Sequence, residues 1–251
     1  MEIEAERRHQ STLDPDEARH FAALASQWWD QGGQFRALHA INPARLAFIR
    51  EAILGTGAPQ AELKPFQGLA ILDVGCGGGI LAEPLARLGA SVTAIDPVQE
   101  AIFAARVHAE KAGLSIDYRC ALAEDLVAAG EKFDAVIASE VIEHVADVDA
   151  FLAACRALTK PGGTLVLSTI NRTARSYALA IVMAERVLGL IPRGTHEWSK
   201  FLTVGETQAG LERSGFRIGP VKGIVFNPLT QTWSLSNYDV AVNYMAAATA
   251  I

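Results

Sequence analysis

The chain has 251 residues, half of them hydrophobic and a fifth charged, which is enough apolar material to bury a core as one domain and too much for a disordered, collagenous or coiled-coil chain. Lys and Arg total 22 against 28 Asp and Glu, a formal charge of −6 with no basic run, so nucleic acid is not an expected partner. Cys76, Cys120 and Cys155 stand apart with no CxxC pair, a pattern that suits a reducing compartment better than a disulfide framework or a zinc knuckle.

The opening MEIEAERRHQ alternates acids and bases and lacks both an apolar export segment and an acid-free transit composition, so a cytoplasmic setting is expected. Asp14-Pro15 reads as a cap followed by a first-turn proline, opening a helix through Phe21, Leu24 and Trp28, and Pro43 opens a second over 43–54. Residues 1–60 thus form a helical cap ahead of a sheet. Short β-branched runs then alternate with longer helical patterns: strand 69–74, glycine turn 75–79, helix 80–88, strand 91–95, helix 98–112, strands 115–119 and 133–138, helix 148–158 and strand 164–168. A helical insertion at 172–195 interrupts the alternation before helix 204–214, strand 216–225 and a last strand near 238–244. This is the pattern of a single α/β domain, 1–251, with a largely parallel sheet.

The strand Ile71-Leu72-Asp73-Val74 runs into Gly75-Cys76-Gly77-Gly78-Gly79 and then a helix, so backbone can approach a ligand where side chains would clash. A dinucleotide fingerprint requires glycine at position 80, where this chain has Ile80. The G-x-G-x-G spacing points instead to S-adenosylmethionine, which has no pyrophosphate to seat on a helix N-terminus. Asp96 closes the second strand 21 residues after Gly75, where a carboxylate can accept both ribose hydroxyls or cap the next helix. Asp73 is placed to hold an α-amino group or to brace the turn. Arg45 offers a planar fork for a terminal carboxylate.

The succession of strand, glycine turn, acidic strand end and Lys160-Pro161-Gly162-Gly163 resembles class I methyltransferases, a Rossmann-like doubly wound α/β fold. Further blocks narrow the resemblance: Ser26-Gln27-Trp28-Trp29-Asp30, Ile41-Asn42-Pro43-Ala44-Arg45-Leu46, Ser139-Glu140-Val141-Ile142-Glu143-His144, Pro192-Arg193-Gly194-Thr195-His196-Glu197-Trp198, Phe226-Asn227-Pro228 and Val242-Asn243-Tyr244-Met245. With these the chain resembles the ubiquinone biosynthesis O-methyltransferases from about residue 13 to 245. The resemblance implies that Arg45, Gly75, Asp96 and Ser139 contact S-adenosylmethionine. It also implies a polyprenyl catechol and 3-demethylubiquinol as methyl acceptors, other proteins of ubiquinone biosynthesis as partners, and magnesium as a divalent cofactor.

Glu140, Glu143 and His144 follow the fourth strand at spacings of three and four, which share one face if the segment turns helically. A phenol with a pKa of about 10 is a poor nucleophile at neutral pH and must lose its proton. Three readings stand: the trio holds a divalent cation that lowers the phenol pKa, His144 is a metal-free base oriented by a glutamate, or the carboxylates line a solvated helix face. Imidazole is not a preferred ligand of magnesium, which keeps Mn²⁺, Zn²⁺ and Fe²⁺ open. His196 sits beside Glu197 after a turn and could line the substrate mouth, and Cys76 reads as packing.

In the insertion, Arg172, Arg175, Arg186 and Arg193 bracket an apolar run too short to span a bilayer but suited to lie in its interface over 173–191. Either it docks the enzyme peripherally on the inner membrane or it is a core helix that lids the site. The alternatives to the leading function are a methyltransferase for another small phenol and an S-adenosylmethionine-binding scaffold subunit.

Overall fold

Apolar side chains alternate across the strands and divide the molecule into three layers. A computed structural model describes residues 12, 27–30, 32–33, 35–57, 62–178 and 197–251. Its strands are β1 (Ala70–Val74), β2 (Ser91–Asp96), β3 (Asp117–Cys120), β4 (Phe133–Ser139), β5 (Thr159–Ile170), β6 (Phe216–Asn227), β7 (Thr232–Ser236) and β8 (Asn243–Ala250). The helices are α1 (Arg36–Leu54), α2 (Ala82–Arg87), α3 (Gln99–Lys111), α4 (Ala123–Ala128), α5 (Val148–Leu158) and α6 (Val204–Arg213). The strands form one sheet in the order β3-β2-β1-β4-β5-β8-β6-β7. The first five strands run parallel, whereas β8, β6 and β7 add an antiparallel edge.

Ile71, Ile137 and Val166 belong to one core with Phe48 and Ile49 of α1, Leu85 of α2 and Ile102 of α3. Their neighbours Leu72, Val136 and Leu165 belong to the other, with Leu126 of α4, Phe151 and Leu152 of α5 and Leu211 of α6. Successive strand residues point to opposite faces, so the unbroken apolar run Ala135-Val136-Ile137-Ala138 is what a strand covered on both sides requires. Local signals start the outer helices. Asp147 Oδ1 accepts from the Ala150 N–H at 2.9 Å ahead of α5, and Thr203 and Glu206 form a reciprocal capping box ahead of α6.

The chain lays down β1, β2 and β3 outward, then crosses to β4 on the other side of β1. The carboxyl ends of β1 and β4 therefore flank the switch point where an open α/β sheet leaves a crevice. The glycine turn and residues 140–144 both emerge there, and Val141 packs against Gly75.

The structure departs from the sequence reading at several elements. α1 begins at Arg36, with Pro43 inside it rather than at its start. β5 is twelve residues long because residues 160–163 join it through a register shift against β4 between Phe133 and Ala135. The last strand is Asn243–Ala250, and β7 and α4 are additions. The alanine-rich β8 has little intrinsic strand preference, and its place between β5 and β6 imposes its conformation. Residues 27–30 form a turn, with the Asp30 N–H donating to the Gln27 carbonyl at 3.0 Å. The helix expected from Asp14, most of the 172–195 insertion, and His196 lie outside the described residues.

Candidate active site

Four carboxylates reach the crevice, Asp73 from β1, Asp96 from β2, and Glu140 and Glu143 from the segment after β4. Asp96, at the end of β2, accepts from the Gly77 N–H through Oδ2 and from the Val98 N–H through Oδ1, each at 2.9 Å. It therefore fixes the glycine turn and the start of α3 together. Burial pushes its pKa up to about 6 against the pull of those two hydrogen bonds. Asp73 is 2 % exposed, and its Oδ2 has no hydrogen-bond partner. Burial first and the Asp96 charge second push Asp73 up to about 7, with Arg45 pulling the other way.

The space that a Cβ would occupy at the glycines of the turn is taken by protein. A Cβ at Gly75 would lie 2.5 Å from Val141, one at Gly77 2.4 Å from the Trp28 ring, and one at Gly78 2.3 Å from Trp28. Gly75 and Gly77 also hold left-handed backbone, at φ 68° and 51°, which a larger residue resists. The turn is thus wedged between Val141, which follows β4, and a tryptophan from the N-terminal segment.

Arg45, from α1, is buried at 3 % exposure. Its Nη2 lies 3.1 Å from Glu140 Oε1, and its Nε makes no hydrogen bond. Ser168 of β5 donates to the same Glu140 oxygen at 2.6 Å. With its proton so used, Ser168 Oγ must accept from the Ser139 hydroxyl 2.9 Å away. Ser139 and Glu140 are therefore tied into one line that ends on Arg45.

The spacing argument for a shared helical face fails at Glu140. This residue sits in the left-handed region at φ 56°, and the helix that follows is a single 3-10 turn, Ile142–His144, so the three-and-four periodicity of an α-helix does not apply. A non-glycine residue held there carries local strain, a feature that clusters at functional sites. Glu143 is 3 % exposed, with Thr169 beside its carboxylate. Burial, and then the Glu140 charge, raise its pKa well above the usual carboxylate range, while His144 draws it down. The three groups therefore share one electrostatic neighbourhood although they do not share a helix face.

The expected cation does not fit these side chains as they stand. Glu140 is occupied by Arg45 and Ser168. Among the described residues, no three His, Cys, Asp or Glu side chains form a group that could hold a metal ion. Ser168 and Val141 are contributors that sequence reasoning missed, since Ser168 meets Glu140 only when β5 pairs with β4, and Val141 meets Gly75 only when β4 pairs with β1. Trp28 carried a signal, as part of an aromatic pair, but not one that pointed to the glycine turn. Cys76 is buried in the α1-side core, as its packing assignment expected.

Asp73 Oδ2 and Arg45 Nε are buried polar atoms without partners, a condition that folded proteins avoid unless a ligand or water completes them. One is a carboxylate and the other a guanidinium, so together they complement the ammonium and carboxylate of an amino-acid terminus. S-adenosylmethionine carries such a terminus.

Comparisons with known proteins place the chain in a family. Residues 72–167 match the family model described as Methyltransferase domain. The ubiquinone biosynthesis O-methyltransferase of Parvibaculum lavamentivorans is 49% identical over 249 residues, covering 99% of this chain and 98% of that protein. The protein of the same name from Dinoroseobacter shibae is 53% identical over 238 residues, covering 94% and 96%. Among solved structures, a SAM-dependent methyltransferase of Thermotoga maritima superposes with a TM-score of 0.60 at 18% identity, covering 92% of this chain and 99% of that one. The magnesium protoporphyrin IX methyltransferase of Synechocystis with bound SAH gives 0.54 at 19% identity, covering 87% and 100%. The two structural likenesses establish the class I fold, and the two full-length relatives establish that the chain belongs to the ubiquinone biosynthesis O-methyltransferase family.

Proposed function

We propose that the chain is an S-adenosylmethionine-dependent O-methyltransferase that methylates a phenolic hydroxyl of a polyprenyl catechol (2-polyprenyl-6-hydroxyphenol) and of 3-demethylubiquinol. The observation that carries this reading is the juxtaposition, at one switch point, of the unpartnered Asp73 Oδ2 and Arg45 Nε with the buried Glu143 and its neighbour His144. When bound, S-adenosylmethionine supplies an electrophilic methyl carbon. Asp73 takes its ammonium, Arg45 its carboxylate and Asp96 its ribose hydroxyls. Gly75 gives backbone contact, and Ser139 lines the adenosine side through its backbone.

His144 removes the phenol proton, and the Glu143 carboxylate stabilises the imidazolium that results. Burial makes that carboxylate a strong partner for a positive charge. Glu140 plays a holding part, keeping Arg45 oriented. A divalent cation on Glu140, Glu143 and His144 would require Glu140 to leave Arg45. A chelator that stops turnover while S-adenosylmethionine still binds would demonstrate that rearrangement.

The cofactor assignment is tested by calorimetry. Asp96→Ala is expected to weaken S-adenosylmethionine binding by about 1–3 kcal/mol through loss of charged hydrogen bonds and of the turn they hold. Unchanged affinity would move the cofactor elsewhere.

No helix among the described residues is long and apolar enough to cross a membrane. Delivery of a prenyl lipid then falls to the apolar run at 173–191, which docks peripherally on the inner membrane from the cytoplasmic side. Liposome flotation should rise with anionic lipid and fall with salt, since headgroup attraction is screened over about 8 Å at physiological ionic strength. Replacing Ile181 and Leu188 by Asp should abolish flotation and activity on long prenyl phenols yet spare a short soluble catechol. Loss of both activities together would make the segment core.

A further inference from the structure

The tandem tryptophans have no part in the chemistry above, yet both touch the glycine turn. Trp28 covers Gly77 and Gly78, stacks on Phe35 with centroids 3.8 Å apart, and its carbonyl accepts from His39 Nε2 at 2.8 Å. Trp29 reaches the same turn, its indole N–H donating to the Gly78 carbonyl at 2.8 Å. The opposite partner of that indole is the His108 ring, stacked at 3.4 Å and within 4° of parallel. His108 Nδ1 in turn bonds Glu83 Oε1 at 2.6 Å, and Glu83 is a carboxylate only 2 % exposed.

The location of these residues gives the column its meaning. Glu83 is on α2, the helix that continues from the glycine turn after β1, and His108 is on α3, the helix that continues from Asp96 after β2. His108 lies in the last turn of α3 and Glu83 in the first turn of α2, so the column ties the carboxyl-terminal end of α3 to the start of α2 and ends on a backbone carbonyl of the glycine turn itself. We propose that Trp29, braced by His108 and Glu83, is a positioning residue for the cofactor, fixing the Gly78 peptide of the glycine turn against α3. The inference rests on the reading that the turn and Asp96 hold S-adenosylmethionine.

The test measures S-adenosylmethionine affinity by calorimetry, steady-state kinetics and thermal melts in the full chain. Trp29→Phe keeps a ring for the stack and removes only the donor to Gly78. It should raise the dissociation constant and the KM for S-adenosylmethionine about five- to tenfold, the size of one lost hydrogen bond, with kcat at saturation within about twofold. Glu83→Ala should weaken affinity similarly, and Glu83→Gln, which still bonds His108, should restore it. The double variant Trp29→Phe/Glu83→Ala should cost no more than the worse single one, as members of one unit do.

Asp96→Ala separates the two failures. Affinity lost in Asp96→Ala but intact in Trp29→Phe overturns the column and leaves the site. Affinity intact in both overturns the site reading and the column with it. A melting temperature that falls in step with the active fraction, at unchanged KM, makes the tryptophan structural and also overturns the proposal.

Discussion

Glu143→Gln should lower kcat by about 10²–10³, and His144→Gln by about 10²–10⁴, the range that loss of a positioned proton acceptor produces, while S-adenosylmethionine affinity stays within about twofold. Gln matches Glu in size and can donate hydrogen bonds, so the first variant removes charge from a buried site without leaving a cavity. The pH profile gives the more specific readout. Burial and the Glu140 charge raise the Glu143 pKa, and protonating it withdraws the partner of the imidazolium. The acid limb of kcat/KM should therefore fall well above the ordinary glutamate pKa of about 4.3, and Glu143→Gln should shift or erase that limb. A profile that keeps its acid limb in the variant would assign the limb to another group.

Asp73→Asn should act in opposite directions on stability and on binding. In the folded chain Asp73 titrates at about 7 rather than 3.8, so between those values the folded state binds more protons than the unfolded one, and stability falls as pH rises. The penalty is absent below the unfolded pKa and complete above the folded one. Removing the ionisable group should then leave stability unchanged near pH 3.5 and raise it at pH 8 by about 2–4 kcal/mol, less whatever Arg45 loses. The same substitution removes the carboxylate proposed to meet the cofactor ammonium, and affinity should drop about ten- to hundredfold. Denaturant melts at the two pH values, with calorimetry at pH 8, measure both. A variant less stable at pH 8 would mean that Arg45 already neutralises Asp73 in the free enzyme.

The parts of the fold that sequence disclosed are those with local causes. α5 occupies the expected 148–158 because Asp147 caps it and its apolar face repeats at helical spacing. The parallel strands were visible as runs that only two-sided burial explains. β8 was misplaced because its alanines have no strand signature until β5 and β6 flank them, and β7 was missed although TWSLS alternates polar and apolar over its five residues.

The site divides in the same way. Asp73 and Asp96 were legible as strand ends, since the position of a strand end is a chain-local fact. The relation among Glu140, Glu143 and His144 was misread because regular spacing was extended through a residue that the backbone turns left-handed. Nothing in the local sequence announces that reversal. The Ser168 bond to Glu140 spans 28 residues, and the Trp29 bond to Gly78 spans 49, so both arise from the packed fold and neither has a periodic signal.

The most direct test is the chemical fate of a labelled methyl group. The purified chain, incubated with methyl-labelled S-adenosylmethionine and a polyprenyl catechol in mixed lipid vesicles, should place the label on one ring oxygen, recovered as an aryl methyl ether. Asp96→Ala and His144→Gln should each suppress that product. Cofactor binding with no labelled ether from either the catechol or 3-demethylubiquinol, or label recovered on carbon or nitrogen, would contradict the assignment.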